Sequence, residues 1–408
     1  ATVLAGEPFR MKTPLVMEVR LEGQLRPGVS AKDVALTLLL RLKVNGGVGK
    51  ILEYTGNGVS TLTVPQRATI ANMGAEMGAT SSVFPADDQV RRFLAAQGRE
   101  EDYQSLLPDK DAEYDQRVEL DLGEVRPMVA LPGHPDYGVP VEEAPQVAFS
   151  QIFIGSCTNG SYTDLARAAL IMRGRKVAPE TEVLVSCPSR QVYNLLLRDG
   201  YLQMFTEAGA RILECGCGPC MGIGQAPASG AVILRTSNRN YKGRSGTRDA
   251  QMYLSGTETA AASAITGRLT SAAELIDVSL LDQVKEPVSY PVDDSMLLRF
   301  DKEPQPDAAL QYGSNIRPIP LKGPLEPAIT GAVSLKLGDG VTTDDLVPPD
   351  PKVLTLRPNI PELSKYIFHL VDPGFAERAA VMGSSFIVAG SGYAQGSSRE
   401  HAAIGCMY

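Results

Sequence analysis

The hydrophobic and polar positions of the chain fall into distinct textures. From Val16 to Leu25 (VMEVRLEGQL) apolar and polar residues alternate, the period of a strand with one buried face. Ser30 then opens an S-x-x-D box with Asp33. Val34, Leu36, Leu38, Leu39, Leu40 and Leu42 follow on one helical face, so a helix is expected to start there. NGGVGK (45–50) turns the chain into a second strand, ILEYTG, and Pro65 opens a second helix through ATIANMGAEMGA. Residues 98–146 are charged and broken by prolines, which reads as a surface connection.

From residue 147 the text becomes strand, loop and helix in repetition. Apolar runs at 148–155, 181–186, 210–214 and 231–236 alternate with helical patterns at 163–173, 189–199 and 258–266. This is the pattern of βαβ units and a parallel sheet covered on both faces. A proline-rich stretch of poor periodicity (286–328) reads as a linker, and AVSLKLGD and SSFIVAG (384–390) are strands of a further region. The expected class is α/β, with three-layer α/β/α domains and parallel sheets.

Composition narrows the functional classes. Of 408 residues, 43% are apolar and 21% charged, as in an ordinary globular enzyme. A net charge of −8 argues against a nucleic-acid partner, and no apolar run is long enough to span a bilayer. Six cysteines (157, 187, 215, 217, 220, 406) in so long a chain are not a disulfide framework; they suit a reducing, cytoplasmic setting.

The candidate chemistry sits where strands end. ECGCGPCMGIG (214–224) follows the third apolar run of the repeating part, and IGSCTNG follows the first. A C-x-x-C pair such as Cys217 and Cys220 can serve a cluster, half a zinc site or a redox dithiol. Zinc would need four ligands, and His134, His369 and His401 form no ligand pair. Cys187 and Cys215 read as buried thiols. SNRNYKGR (237–244) follows the fourth run and offers Arg239 and Arg244, planar donors suited to carboxylates. Ligands of open parallel sheets bind at the carboxyl ends of the strands, so these three motifs should share one crevice. Asn72 and Glu76, four apart in the second helix, can point at one place. NGGVGK resembles a phosphate loop, but Val44 and Ile51 stand where glycine and Ser or Thr belong.

IGSCTNGSYTDL and CGPCMG resemble the two cluster-binding signatures of the aconitase family, which includes isopropylmalate dehydratase and homoaconitase. ATIANMGAEMGATSSVFP, SNRNYKGR, VTTDDL and GSSREHAA match further family stretches in the family's order. The resemblance implies a [4Fe-4S] cluster on Cys157, Cys217 and Cys220, with one iron open to substrate. It implies Asn72 and Asn238 beside the cluster, and Glu76 beside cluster and substrate. Arg239 and Arg244 would bind substrate carboxylates, with Arg357 joining them if one residue is gapped. Thr343 and Asp344 would belong to the active site, Ser397 would be the base, and Ser398 and Arg399 would bind carboxylate. Where the family usually continues with histidine and a small polar residue, this chain has Asp345 and Val347.

The resemblance also divides the chain. Residues 1–14 would end a first domain, 15–140 form a second and 141–290 a third with the cysteines. Residues 291–328 link to the start of a C-terminal swivel domain at 329–408. No Asp-Ser-His motif occurs, so the chain reads as an internal fragment, expected to be inactive alone because the family's acid histidine lies in the first domain. The implied reaction is isomerisation of citrate to isocitrate through cis-aconitate, on a small tricarboxylate, by a protein monomeric at full length. The alternatives are homoaconitase, 2-methylisocitrate dehydratase and 3-isopropylmalate dehydratase. Two readings from other classes are an apo-form RNA-binding iron sensor and a structural zinc protein.

Overall fold

The computed structural model describes residues 8, 11–297, 307–309, 311–319, 321, 323–324, 326–394 and 399–408, in two compact units divided after Met296. The first unit contains two sheets. Strand β1 (Leu15–Glu22) leads into helix α1 (Ala31–Leu42), β2 (Lys50–Thr55), α2 (Val64–Gly74), β3 (Ser81–Val83), α3 (Asp88–Ala96) and β4 (Gln116–Asp121). These strands form one sheet in the order β3-β2-β1-β4, with every pairing parallel. The expected box starts α1: the Asp33 carboxylate accepts the Ser30 N–H at 2.7 Å. Its other oxygen accepts the Met128 N–H at 2.8 Å, tying this helix to the second sheet.

The second sheet is built from β5 (Met128–Ala130), β6 (Gly138–Pro140), β7 (Gln151–Gly155), β8 (Glu182–Ser186), β9 (Arg211–Leu213), β10 (Val232–Arg235) and β11 (Gln251–Ser255). Helices α4 (Tyr162–Met172), α5 (Arg190–Arg198), α6 (Tyr201–Ala208) and α7 (Thr257–Thr266) connect or follow its parallel strands. The strand order is β6-β5-β11-β10-β7-β8-β9. From β7 the chain builds outward through β8 to the edge at β9, then returns to place β10 on the other side of β7. The switch point, and the crevice such a point creates, therefore lies between β7 and β10. The core of this half joins Ile152, Ile154, Val183, Val185, Leu165, Phe205 and the alanines of α7.

The stretch 98–146 is more than a connection. QRVELD forms β4, an edge strand whose charged side chains face solvent, and β5 and β6 add antiparallel to the edge of the second sheet. The charges that suggested a loop are those an exposed edge strand carries.

The second unit carries β12 (Ala332–Lys336), short helices α8 (Thr343–Leu346), α9 (Pro351–Leu354) and α10 (Ile360–Ser364), then α11 (Phe375–Met382), β13 (Ser385–Val388) and α12 (Glu400–Met407). Strands β12 and β13 pair in parallel beside a core of Leu335, Leu346, Val353, Leu363, Ile367 and Phe368. Asp345 caps α8, accepting the Thr342 N–H at 2.8 Å, which accounts for an acid there. Among the described residues of 291–328 there is no helix or strand.

Candidate active site

The switch point is assembled from three strand ends and one helix. Strand β7 ends at Gly155, whose φ is +118° and whose Cβ, if present, would lie 2.0 Å from the Ser186 carbonyl oxygen. Only glycine can make that turn. Its N–H donates to Thr236 Oγ1 at 2.8 Å, and that hydroxyl donates back to the Gly155 carbonyl at 2.7 Å, sewing the ends of β7 and β10 together. Cys157 follows, exposed, while Thr158 and Asn159 turn inward. Helix α2 holds this loop: Thr69 Oγ1 donates to the Thr158 carbonyl at 2.6 Å, and Thr158 Oγ1 donates to Asn72 Oδ1 at 3.0 Å.

The turn after β9 carries Cys217, exposed, and Cys220, buried. A 3-10 turn over Pro219–Met221 closes at Gly222, with φ of +78°, where a Cβ would come within 1.8 Å of the Ser245 carbonyl oxygen. Burial pushes the Cys220 thiol up to about 11, and neighbouring Cys157 and Cys217 push the same way, against Arg235 and Arg244. Cys157 and Cys217 thus both lie near Cys220, and all six cysteines are free. Among the described residues no three His, Cys, Asp or Glu side chains are arranged to hold a single metal ion.

Glu76 completes the crevice from the other sheet. It lies in the 3-10 turn Ala75–Met77 that extends α2, and it is 5% exposed. Its Oε1 accepts from Asn238 Nδ2 at 2.9 Å and from Arg239 Nε at 2.7 Å. Burial raises the Glu76 carboxyl, while Arg239, Lys32 and Arg244 hold it down. Asn72, Glu76, Asn238, Arg239, Arg244 and the three cysteines are therefore gathered around one strand-end crevice.

Lys32 is a member of this neighbourhood that the sequence pattern did not reveal. It is fully buried in the first turn of α1, where Nζ donates to the Ser237 carbonyl at 2.6 Å and lies 3.4 Å from Met73 Sδ. Burial pulls its ammonium down to about 8, while Glu76, Asp33, Cys220 and Cys157 favour the charge. A lysine beside the box aspartate reads as a solvated residue, and no sequence signal marks it. His134, one of the three histidines that form no ligand pair, packs edge-on against Tyr241 with centroids 4.8 Å apart.

In the second unit, Arg399 pairs with Asp344 and donates to the Val347 carbonyl at 3.0 Å. Burial lowers the Arg357 guanidinium and Arg399 pushes the same way, so the two arginines are near each other. Thr343 is buried in α8. Ser397 and Ser398 lie outside the described residues. Among the described residues no helix is long and apolar enough to cross a membrane.

Comparison with known proteins places this arrangement among relatives. The description "Aconitase family (aconitate hydratase)" is matched over residues 1–151 and 143–267. The 3-isopropylmalate dehydratase large subunit 2 of Archaeoglobus fulgidus is 41% identical over 277 residues, 68% of this chain and 66% of the relative. The 3-isopropylmalate dehydratase large subunit 1 of Thermotoga maritima is 39% identical, over 64% of this chain and 63% of the relative. The corresponding subunit of Methanopyrus kandleri is 39% identical, over 66% and 65%. The matched part of the chain thus spans a little under two thirds of each of these curated relatives.

Proposed function

The chain belongs to the aconitase family, and from that premise we propose that it carries the cluster-holding part of a hydro-lyase acting on a small hydroxy-carboxylate. The observation that carries the proposal is Glu76. Buried, it receives Asn238 and Arg239 at the switch point of a parallel sheet, where Cys157 and Cys217 lie near Cys220.

Cys157, Cys217 and Cys220 are the residues that hold a [4Fe-4S] cluster. A cluster spreads its ligands over several irons, so the thiolates need not converge as they would on one ion. The donor set fits. A thiol raised by burial and by two neighbouring thiols is costly as a free thiolate, and metal ligation is what stabilises that form. Lys32, Arg235 and Arg244 supply positive charge around it. When bound, the cluster supplies a Lewis acid for the substrate hydroxyl.

The remaining work falls to side chains of the chain itself. Glu76 fixes Arg239 by its Nε, so that the Nη edge is the planar fork a carboxylate takes bidentately. Arg244 adds a second cation for charge that builds on the carboxylate as its neighbouring carbon loses a proton. Asn72 and Asn238 fix the loops that carry Cys157 and Arg239. In the second unit Asp344 orients Arg399 for a further carboxylate, and Ser397 is the base that takes the proton from carbon.

For the substrate, the names of the relatives support 3-isopropylmalate. Citrate, converted to isocitrate through cis-aconitate, is the second reading. It rests on Arg357 beside Arg399, a pair that fits a third carboxylate better than an isopropyl group. Homocitrate and methylisocitrate belong to the same class. Anaerobic reconstitution followed by electron paramagnetic resonance of the reduced cluster tests both levels. Iron and sulfide should bind, and 3-isopropylmalate should perturb the spectrum more than citrate does. Absence of iron and sulfide would remove the cluster reading; a response to citrate alone would reverse the substrate assignment.

A further inference from the structure

The cysteine turn starts from the wrong side of the sheet. Strand β9 is the edge, three places from β10 in the order β10-β7-β8-β9, a separation of about 14 Å at the usual strand spacing. To reach the switch point, the turn must fold back across β8 and β7. Below it lies an apolar floor of Phe153, Leu184 and Leu213 on which Cys220 packs. Apolar packing holds the turn down without aiming it, because burial is non-directional.

Ser186 Oγ donates to the Glu214 carbonyl where the turn leaves β9, at 2.8 Å, and a buried guanidinium reaches the part that carries Cys220. Arg235, the last residue of β10, is 0% exposed. Its Nη1 donates to the Pro219 carbonyl, the residue immediately before Cys220. Its Nη2 donates to Gln151 Oε1 at 2.9 Å, and its guanidinium carbon stands 5.5 Å from the centre of the Phe153 ring. The chain of contacts continues along the same face. Gln151 Nε2 donates to Glu182 Oε2 at 3.0 Å, and Glu182 Oε1 accepts from Gln225 Nε2 at 2.7 Å. Gln225 in turn accepts from Arg211, so the turn is gripped at Pro219 and again where it leaves at Gln225.

A fully buried guanidinium is costly unless it is engaged, and here the network runs from β10 through β7 and β8, the two strands that the turn must cross. We infer that Arg235 is a positioning residue, strutted by Gln151 and Phe153, which clamps the Pro219 carbonyl so that the edge-strand turn presents Cys220 at the switch point. The inference deepens the cluster reading and rests on it for its functional meaning. The charge has a consequence of its own, because the guanidinium bonds the residue next to Cys220. A cation there favours the more negative, reduced state of a cluster.

The test uses the full chain with Arg235→Met, Arg235→Lys and Gln151→Leu. In the apo chain, amide exchange over residues 217–224 should become about tenfold faster or more in Arg235→Met, as expected for losing a hydrogen bond to a charged group. Peptides from β7 and β8 should be unchanged. After anaerobic reconstitution, the midpoint potential of Arg235→Met should fall, and Arg235→Lys should bring it back towards the parent. Gln151→Leu cuts the strut while keeping the charge, so the turn should loosen with a smaller change of potential; it also serves if Arg235→Met does not fold. Unchanged exchange in a folded Arg235→Met, or in Gln151→Leu when only that variant folds, would overturn the inference. A loosened turn in a chain that never takes up iron would instead leave the clamp standing and sink the cluster reading.

Discussion

Glu76 accepts the Nε–H of Arg239 at 2.7 Å across 163 residues of sequence, joining the helix of one sheet to the strand end of the other. Both side chains are mostly buried, so the pair is shielded from the screening that makes surface ion pairs contribute little. Glu76→Gln keeps the shape and removes the charge that orients Arg239. The variant should lose about 1–3 kcal/mol of stability, measured by denaturant unfolding. An unchanged midpoint and slope would show that the pair is not held in solution.

The three cysteines at the crevice should behave differently from Cys187 and Cys406. Cys157→Ser, Cys217→Ser and Cys220→Ser should each fail to retain iron and sulfide after anaerobic reconstitution, whereas Cys187→Ser and Cys406→Ser should retain both. Metal and sulfide analysis per chain reads the outcome. Retention in Cys220→Ser would remove that residue from the ligand set.

Lys32 should leave a pH signature in stability. Its folded pKa of about 8 lies below the ordinary 10.5, so between those values the unfolded chain binds more protons than the folded one. Stability contributed by this group therefore rises with pH across that window, and the penalty of the buried charge is fully present below it. Lys32→Met lacks that change. The stability of the parent relative to Lys32→Met should improve by on the order of 2–3 kcal/mol from pH 7.5 to 10.5. A flat difference in thermal melts over that range would contradict the buried-charge account.

Gly222 tests the cysteine turn from its other side. Its φ of +78° and the 1.8 Å approach to the Ser245 carbonyl oxygen leave no room for a methyl group. Gly222→Ala should cost about 1–3 kcal/mol and lower iron retention. Gly216→Ala, with nothing within 4 Å of its added methyl, is the control and should leave both unchanged.

Much of the fold was legible because its signals are local. The S-x-x-D box does cap α1, the four apolar runs after residue 147 do become β7 to β10, and the helices between them begin within a residue of their periodic patterns. What escaped was short or sat at an edge. QRVELD hid as a loop because its charges face solvent. QMYLS, which became β11, has only three consecutive apolar residues before a helix begins. The short helix Tyr201–Ala208 followed another helix too closely to be separated by period.

Residue types at short spacing determine turns, caps and which side chains leave a strand end, because those depend on dihedral preferences and neighbours three or four residues away. The chain could therefore declare by itself an α/β protein with thiols, asparagines and arginines after its strands. Strand order is another matter. That β10 returns beside β7, that Lys32 ends under Ser237 from 205 residues away, and that Arg235 reaches back to Pro219 were settled only by tertiary packing. Burial is what selects these contacts, and burial belongs to the assembled sheets, since no local period encodes which strand will lie next to which.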